Sequence, residues 1–331
     1  MKTQAIIFEG AEQVAFGEIE MADPEPGDAV IRTVATLVST GTDTRVLRGK
    51  QAEGRFPLVP GYSAVGVVEE VLGDVPGVAP GDLVLSGNPR GLIGICRCWG
   101  AQAAHCVRPA AGLLKLDDRR PPAEYVFTRT GAIALHGVRR SMAESDDRVV
   151  VIGQGLIGQL HARIQAAMGR QVIVSDLLES RLERSLAAGV TVAVNAAERD
   201  TVEAVREVWP DGVQVAVEAS ARQEGLDQCV ALVHQPAWGS DERMPVLVVQ
   251  SSFTEPLVFD YGRIFAKEVV IVPTRDAIPR DSTAAAQMIR TGTLRVDDLI
   301  TLRARPQEAA DAFAELLAHP ERHFTCVFEW D

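Results

Sequence analysis

The stretch Arg148-Val-Val-Val-Ile-Gly153-Gln-Gly155-Leu-Ile-Gly158 decides the fold of this chain. Four consecutive aliphatic residues read as a buried strand, and they run directly into a Gly-x-Gly-x-x-Gly turn. A helix-forming stretch, Gln159 to Met168, follows and is stopped by Gly169. In this arrangement the first glycine permits the tight turn and the second lets the main chain approach a pyrophosphate. The third lets the helix pack against the sheet, and the helix N-terminus offers free N–H groups to phosphate. A second strand, Gln171-Val-Ile-Val-Ser-Asp176, ends in an acid 18 residues after Gly158. A carboxylate there hydrogen-bonds the adenosine ribose. Glycines alone are a weak signal. Strand, glycines, helix, strand and terminal acid together specify a dinucleotide-binding unit.

Asp176 also bears on cofactor choice. It accepts from both ribose hydroxyls and repels a 2′-phosphate, so NAD is expected rather than NADP. Arg181 is the one nearby cation that argues for NADP, and it is expected on the solvated face of the next helix. The cofactor-contacting set read from the sequence is Gly153, Gln154, Gly155, Leu156, Ile157, Gly158, Asp176, Arg181, Ala219 and Gln250.

Composition sets the wider frame. A chain of 331 residues exceeds what one core usually serves, so two domains are expected. The net charge of −12 argues against nucleic acid or an anionic membrane as partner. No uninterrupted apolar run is long enough to span a bilayer. The start, Met1-Lys-Thr-Gln-Ala-Ile-Ile-Phe-Glu, lacks the long apolar core of a signal peptide. Five cysteines without a scaffold spacing fit a reducing cytoplasm.

Up to about Lys115 the chain reads as short strands between Gly, Pro and Asp turns: Gln4 to Phe8, Ala29 to Leu37, Ala64 to Val71 and Leu83 to Ser86. That spacing indicates a partly closed β-barrel or sandwich. Residues from Pro121 to Ala143 are helical in pattern. Strands and helices then alternate through Val190 to Val194, Thr201 to Val208, Val213 to Glu218, Glu224 to Val233, Val246 to Gln250 and Val269 to Val272. Such alternation implies a parallel, doubly wound sheet. Helical stretches at Ser282 to Arg290 and Pro306 to Leu317 precede a last strand, Thr325 to Glu329.

A β-rich front, a second dinucleotide-binding domain and a short tail resemble the medium-chain dehydrogenase/reductase superfamily across essentially the whole chain. The markers are Val59-Pro60-Gly61-Tyr62, Gly66-Val-Val-Glu-Glu-Val71, Pro80-Gly81-Asp82-Leu-Val84, Ala134-Leu-His136-Gly-Val-Arg-Arg140 and Val217-Glu-Ala-Ser220. The resemblance implies an α/β fold: a GroES-like β-barrel catalytic domain (1–130), a Rossmann domain with a doubly wound parallel sheet (131–273), and a C-terminal segment returning to the catalytic domain (274–331). It also implies an active site in the cleft between domains. A homodimer joined edge to edge through Val246–Gln250 and the Phe253–Val272 region is expected as well.

Zinc alcohol dehydrogenases of this family place Cys before Gly-Thr-Asp, a His-Glu pair after Pro-Gly, and an acid or Cys shortly before Ala-Leu-His. The matching positions here are Thr40, Tyr62 with Ser63, and, by ungapped count, Arg129. None is a usual zinc ligand, so no catalytic metal is expected. A structural zinc lobe would need four closely spaced cysteines after residue 85, and only Cys96, Cys98 and Cys106 occur there. Ser39-Thr-Gly-Thr-Asp43 with Pro60-Gly-Tyr62 looks like a zinc-free subgroup that includes the bacteriochlorophyllide dehydrogenases, which oxidise a secondary alcohol to a ketone with NAD. Those keep Glu where this chain has Ser63.

The resemblance makes Thr42 the proton-relay hydroxyl and Tyr62 the acid/base. Arg129 would supply positive charge, and Asp43 would orient Tyr62 or Arg45. To act as a base at neutral pH, Tyr62 would need its pKa lowered from near 10, with Arg129 or Arg45 expected to do so. Each residue has a packing alternative: caps for Thr42 and Asp43, a core aromatic for Tyr62, a barrel ion pair for Arg129. His136 is expected to be structural or adjacent to the cofactor. The leading function is therefore a zinc-independent, NAD-dependent dehydrogenase or ketone reductase for a polar small molecule. An NAD(P)H-dependent enoyl or quinone reductase and a catalytically silent cofactor-binding protein are the alternatives. No Gly-x-Ser-x-Gly elbow or P-loop lysine supports a hydrolase or kinase.

Overall fold

The computed structural model describes residues 1–51 and 54–330, which divide into two compact units. The first comprises Met1–Arg129, Ala286–Gly292 and Val296–Asp331; the second comprises Thr130–Ala285 and Thr293–Arg295.

In the first unit two antiparallel-rich sheets make a barrel-like body. One orders Leu92–Ile93, Gln13–Met21, Lys2–Gly10, Leu58–Val59 and Cys96–Arg97; the other orders Arg303–Ala304, Thr325–Glu329, Asp28–Ser39, Ser63–Val71 and Leu83–Ser86. The tail strand Thr325–Glu329 lies antiparallel on Asp28–Ser39, pairing Thr325 with Ser39 and Phe328 with Thr36. Its inward residues join a core of Phe8, Leu47, Phe313 and Phe328, in which Phe8 and Phe313 meet edge to face at 5.1 Å. Burial of that aromatic surface is what fixes the tail to the front of the chain. Cys96, on the short strand Cys96–Arg97, is exposed, and Cys98, just past its end, is buried.

The second unit is a six-stranded parallel sheet. Its strands, numbered in chain order, are β1 (Arg148–Ile152), β2 (Gln171–Asp176), β3 (Val192–Asn195), β4 (Val215–Glu218), β5 (Val246–Val249) and β6 (Val270–Pro273). They lie in the order β3-β2-β1-β4-β5-β6. This is the doubly wound order whose direction reverses between β1 and β4, and that switch point is where dinucleotides bind. The valine and isoleucine runs are buried on both faces, as a sheet covered by helices requires.

The return boundary falls at Ala285/Ala286, inside the helix Pro279–Thr291, later than the 273 expected from sequence. The reason is Asp281, which is fully buried and bonded to Arg139 and to His136 Nδ1 (2.7 Å) on the helix Thr128–Arg140. These ties hold the first half of the later helix within the second unit. His136 is thus a structural anchor.

Candidate functional site

In the second unit the helix Leu156–Ala167 begins directly on the glycine turn, with Gly155 as its N-cap. The three glycines differ in what surrounds them. Gly153 has a φ of +92°, and a Cβ there would lie 2.7 Å from Ser220 Cα. A Cβ at Gly158 would lie 1.9 Å from the Gly153 carbonyl oxygen. Gly155, by contrast, faces open space, with no heavy atom within 4 Å of where its Cβ would stand. The turn therefore has one closed glycine at each end and an open one between them, above the helix N-terminus. That is a cradle suited to a pyrophosphate.

Asp176 ends β2 beside this turn. Its carboxylate accepts the N–H of Gln154 at 2.6 Å and the N–H of Leu178 at 3.0 Å. Arg181 stands on the helix Glu179–Ala187, and its Nη1 lies 3.7 Å from the Asp176 carboxylate. It folds back toward the acid and does not project from a solvated face as expected, because the carboxylate attracts its guanidinium.

The other sequence-derived cofactor residues divide by where their side chains go. Gln154 is fully buried: its amide donates to the Gly153 carbonyl at 2.9 Å and its Oε1 accepts from Ser185 at 2.9 Å. It braces the turn from inside and offers the outside only main chain. Leu156 is buried, Ile157 and Ala219 half-buried. Gln250 points inward, accepting from His161 Nδ1 at 3.1 Å and donating to the Ile133 carbonyl at 3.3 Å. It fills the space left by Gly137, where a Cβ would fall 1.6 Å from Gln250 Oε1. Burial lowers the His161 pKa to about 4, so the ring is neutral and accepts from Gln165 through Nε2.

In the first unit the strand Asp28–Ser39 feeds the helix Thr40–Leu47, with Ser39 as its N-cap. Asp43, in the first turn, reaches back to accept the Ser39 N–H at 2.7 Å. The Tyr62 phenol receives hydrogen bonds from the side chains of Ser39 and Thr42. Its ring packs edge to face on Trp99 at 5.4 Å. Tyr62, Thr42, Asp43 and Arg129 thus belong to one locality, joined by Ser39, to which the sequence reading gave no role. The signal for Ser39 was its position as the last strand residue before the helix, where small hydroxyls sit as caps.

The electrostatics overturn one expectation. Burial first, and the Asp43 charge second, push the Tyr62 phenol up to about 12. The bonds from Ser39 and Thr42 and the charge of Arg129 offset only part of this. Arg45 donates through Nε to Gln51 at 2.9 Å. Tyr62 is therefore a protonated phenol at neutral pH and no base, because removal from water disfavours the anion more than one guanidinium favours it. Asp43 is itself raised to about 7 by burial, with the Ser39 N–H working against the shift. Its Oδ1 is buried without a hydrogen-bond partner among the described residues.

The remaining positions at the site bond to main chain. Thr40 donates to the Phe324 carbonyl at 2.8 Å, and Ser63 donates to the Val126 carbonyl. Among the described residues, no group of three or more His, Cys, Asp or Glu is placed to hold a metal ion, and no helix is long and apolar enough to cross a membrane.

Comparison with known proteins agrees with this fold. Residues 25–118 fit the alcohol dehydrogenase GroES-like domain and residues 157–275 the zinc-binding dehydrogenase family. A 2-desacetyl-2-hydroxyethyl bacteriochlorophyllide A dehydrogenase of Cereibacter sphaeroides is 28% identical, over 97% of this chain and 96% of that protein. Among solved structures, a protein of the zinc-binding dehydrogenase kind from Sinorhizobium meliloti, bound to NADP, superposes with a TM-score of 0.85 at 22% identity, covering 99% of both chains. An Escherichia coli alcohol dehydrogenase complexed with NADH superposes with a TM-score of 0.85 at 20% identity, again over 99% of both. The chain has the fold of the medium-chain dehydrogenase/reductase superfamily, and its two matched segments fit oxidoreductase families of the zinc-type alcohol dehydrogenase kind.

Proposed function

We propose that this protein is an NAD-dependent oxidoreductase that interconverts a secondary alcohol and a ketone on a polar small molecule, with no catalytic metal. The observation that carries the reading is the hydroxyl cluster of Ser39, Thr42 and Tyr62, the last of which stands at a position where the family resemblance would set a zinc ligand. The donor set does not suit zinc. Thr40 and Ser63 hydroxyls are committed to carbonyls, Tyr62 is a protonated phenol, and Arg129 is a cation.

The glycine cradle and Asp176 suit a nicotinamide dinucleotide, which when bound would supply or accept the hydride. Tyr62 then handles the oxygen. In the reducing direction its O–H donates to the carbonyl oxygen and gives up its proton as alkoxide character develops. Thr42 and Ser39, already bonded to the phenol oxygen, stabilise the negative charge left on it. Arg129 adds positive charge on the same side of the balance. A protonated phenol suits ketone reduction at neutral pH better than alcohol oxidation.

Asp176 favours NAD. The NADP-bound neighbour and the approach of Arg181 to Asp176 favour the other reading, an NADPH-dependent reductase. Fluorescence titration with NADH and NADPH separates the two, and elemental analysis of the active protein tests the metal. Tighter NADPH binding, or stoichiometric zinc whose removal abolishes turnover, would overturn the corresponding part.

A homodimer and a cytoplasmic setting complete the proposal. β5, where the sequence reading set the joint, is paired on both sides by β4 and β6 and is no edge; the edge strand is β6, and the chain leading to it exposes Val258, Tyr261 and Phe265, with the last two rings stacked at 5.6 Å. An apolar edge of this kind is stabilised by pairing with a second copy. Cys98, Cys106, Cys229 and Cys326 are buried as free thiols, which suits a reducing compartment.

A further inference from the structure

β4 ends in an acid, Glu218, that is 0% exposed. Its main chain is used by the next strand: the Glu218 carbonyl accepts the N–H groups of Gln250 (2.9 Å) and Ser251 (3.3 Å). Its side chain curls back on its own turn, where Oε1 accepts both the N–H and the hydroxyl of Ser220, each at 2.6 Å. Ser251, through its Oγ, accepts the Ala221 N–H at 3.0 Å. Ala221 is held at a φ of 56°, in the left-handed region that a residue with a Cβ rarely adopts. The 219–222 turn is thus pinned from below by one carboxylate and one hydroxyl, in a conformation it would not hold alone.

Stability does not explain an acid here. Burial raises the Glu218 pKa, and Oε2 is sealed without a hydrogen-bond partner among the described residues. An apolar residue would avoid both costs. Its neighbours are shaped around it. A Cβ at Gly225 would fall 2.3 Å from Ser220 Oγ, and one at Gly153 would fall 2.7 Å from the Ser220 main chain. The pinned turn therefore abuts the first glycine of the phosphate cradle across the switch point between β1 and β4.

A dinucleotide lies across the carboxyl ends of such a sheet with one half on each side of the switch. Asp176 ends β2, on the adenosine side; Glu218 ends β4 and Ser251 follows β5, on the other. We propose that Glu218 is a positioning residue that holds the 219–222 turn and Ser251 as the nicotinamide-side wall of the cofactor site, and so governs affinity for that half alone. The inference rests on the nicotinamide-cofactor reading above.

The test is calorimetric titration of full-length Glu218→Gln with NADH and, separately, with ADP. Gln keeps the size and one acceptor but loses the charge that strengthens the Ser220 bonds. The expected result is a rise of about tenfold in the NADH Kd with ADP affinity changed less than twofold. Unchanged NADH binding, or parallel weakening of NADH and ADP, would overturn the proposal, since a general structural role moves both. Ser251→Ala, a milder change of the same wall, should give the same split if Glu218→Gln does not fold, and parallel or absent effects there overturn it equally. Wild-type protein that binds neither ADP, NADH nor NADPH would instead refute the cofactor reading on which the inference stands.

Discussion

The Asp176 carboxylate accepts the Gln154 main-chain N–H at 2.6 Å, so the acid proposed to read the ribose also holds the glycine turn proposed to read the phosphates. Replacing it should have two effects at once. Asp176→Ser should weaken NADH binding by about tenfold through loss of ribose and turn contacts, and should narrow the gap to NADPH by removing repulsion. Arg181→Ala should weaken NADPH more than NADH, because it removes the one cation beside a 2′-phosphate. Parallel titrations of both cofactors check this, and an unchanged NADH/NADPH ratio in both variants would contradict it.

The contrast between Gly155 and Gly158 gives a sharper expectation. A Cβ at Gly155 meets no protein atom, whereas one at Gly158 collides with the Gly153 carbonyl. Gly155→Ala should fold with a near-normal Tm yet lose cofactor affinity. Gly158→Ala should lower both, with a stability loss of about 1–3 kcal/mol from the forced shift of packed main chain. Thermal melts with and without NADH distinguish the two patterns.

Asp43 makes stability depend on pH in a defined sense. Its folded pKa of about 7 lies above the ordinary 3.8, so the unfolded chain ionises first as pH rises. Stability contributed by this site is therefore greatest below pH 4 and falls between about 4 and 7. Asp43→Asn keeps an acceptor for Ser39 and removes the buried charge. It should stabilise the protein at pH 8, on the order of 2–4 kcal/mol, and make little difference near pH 4. Chemical denaturation at the two pH values measures this directly.

Assembly is tested through the exposed rings before β6. Light scattering at micromolar concentration should return a dimer, and Phe265→Glu should shift it toward monomer, since a charge replaces a 56% exposed aromatic at the proposed contact. A monomeric wild-type protein would end that proposal.

Much of the second unit was legible in the sequence because its signals are local. Glycine spacing, valine runs and a terminal acid each follow from contacts within a few residues. The helix after the turn nevertheless starts at Leu156, three residues before the expected Gln159, because the glycine fingerprint itself enters the first turn. What was not legible depends on distant partners. The inward turn of Gln250 comes from His161 and Gly137, and the later return boundary comes from Asp281 meeting His136 and Arg139. The acidity of Tyr62 was misjudged because sequence shows which charges are near but not how far a hydroxyl is taken out of water. Ser39, quoted in the Ser39-Thr-Gly-Thr-Asp43 motif, was given no role for a related reason: a serine ending a strand shows no sign of the phenol it will meet.

The central claim is that a phenol performs the proton chemistry that relatives assign to a metal site, and Tyr62→Phe tests it most directly. With a ketone substrate found by panel and NADH saturating, single-turnover reduction by wild-type and Tyr62→Phe protein should be compared at neutral pH, with metal content measured on the same samples. We expect both to be metal-free, NADH affinity to be unchanged, and the rate to fall by ~10²–10⁴ when the donating hydroxyl is removed. A Tyr62→Phe enzyme that turns over at the wild-type rate would contradict the claim and reduce Tyr62 to a packing partner of Trp99.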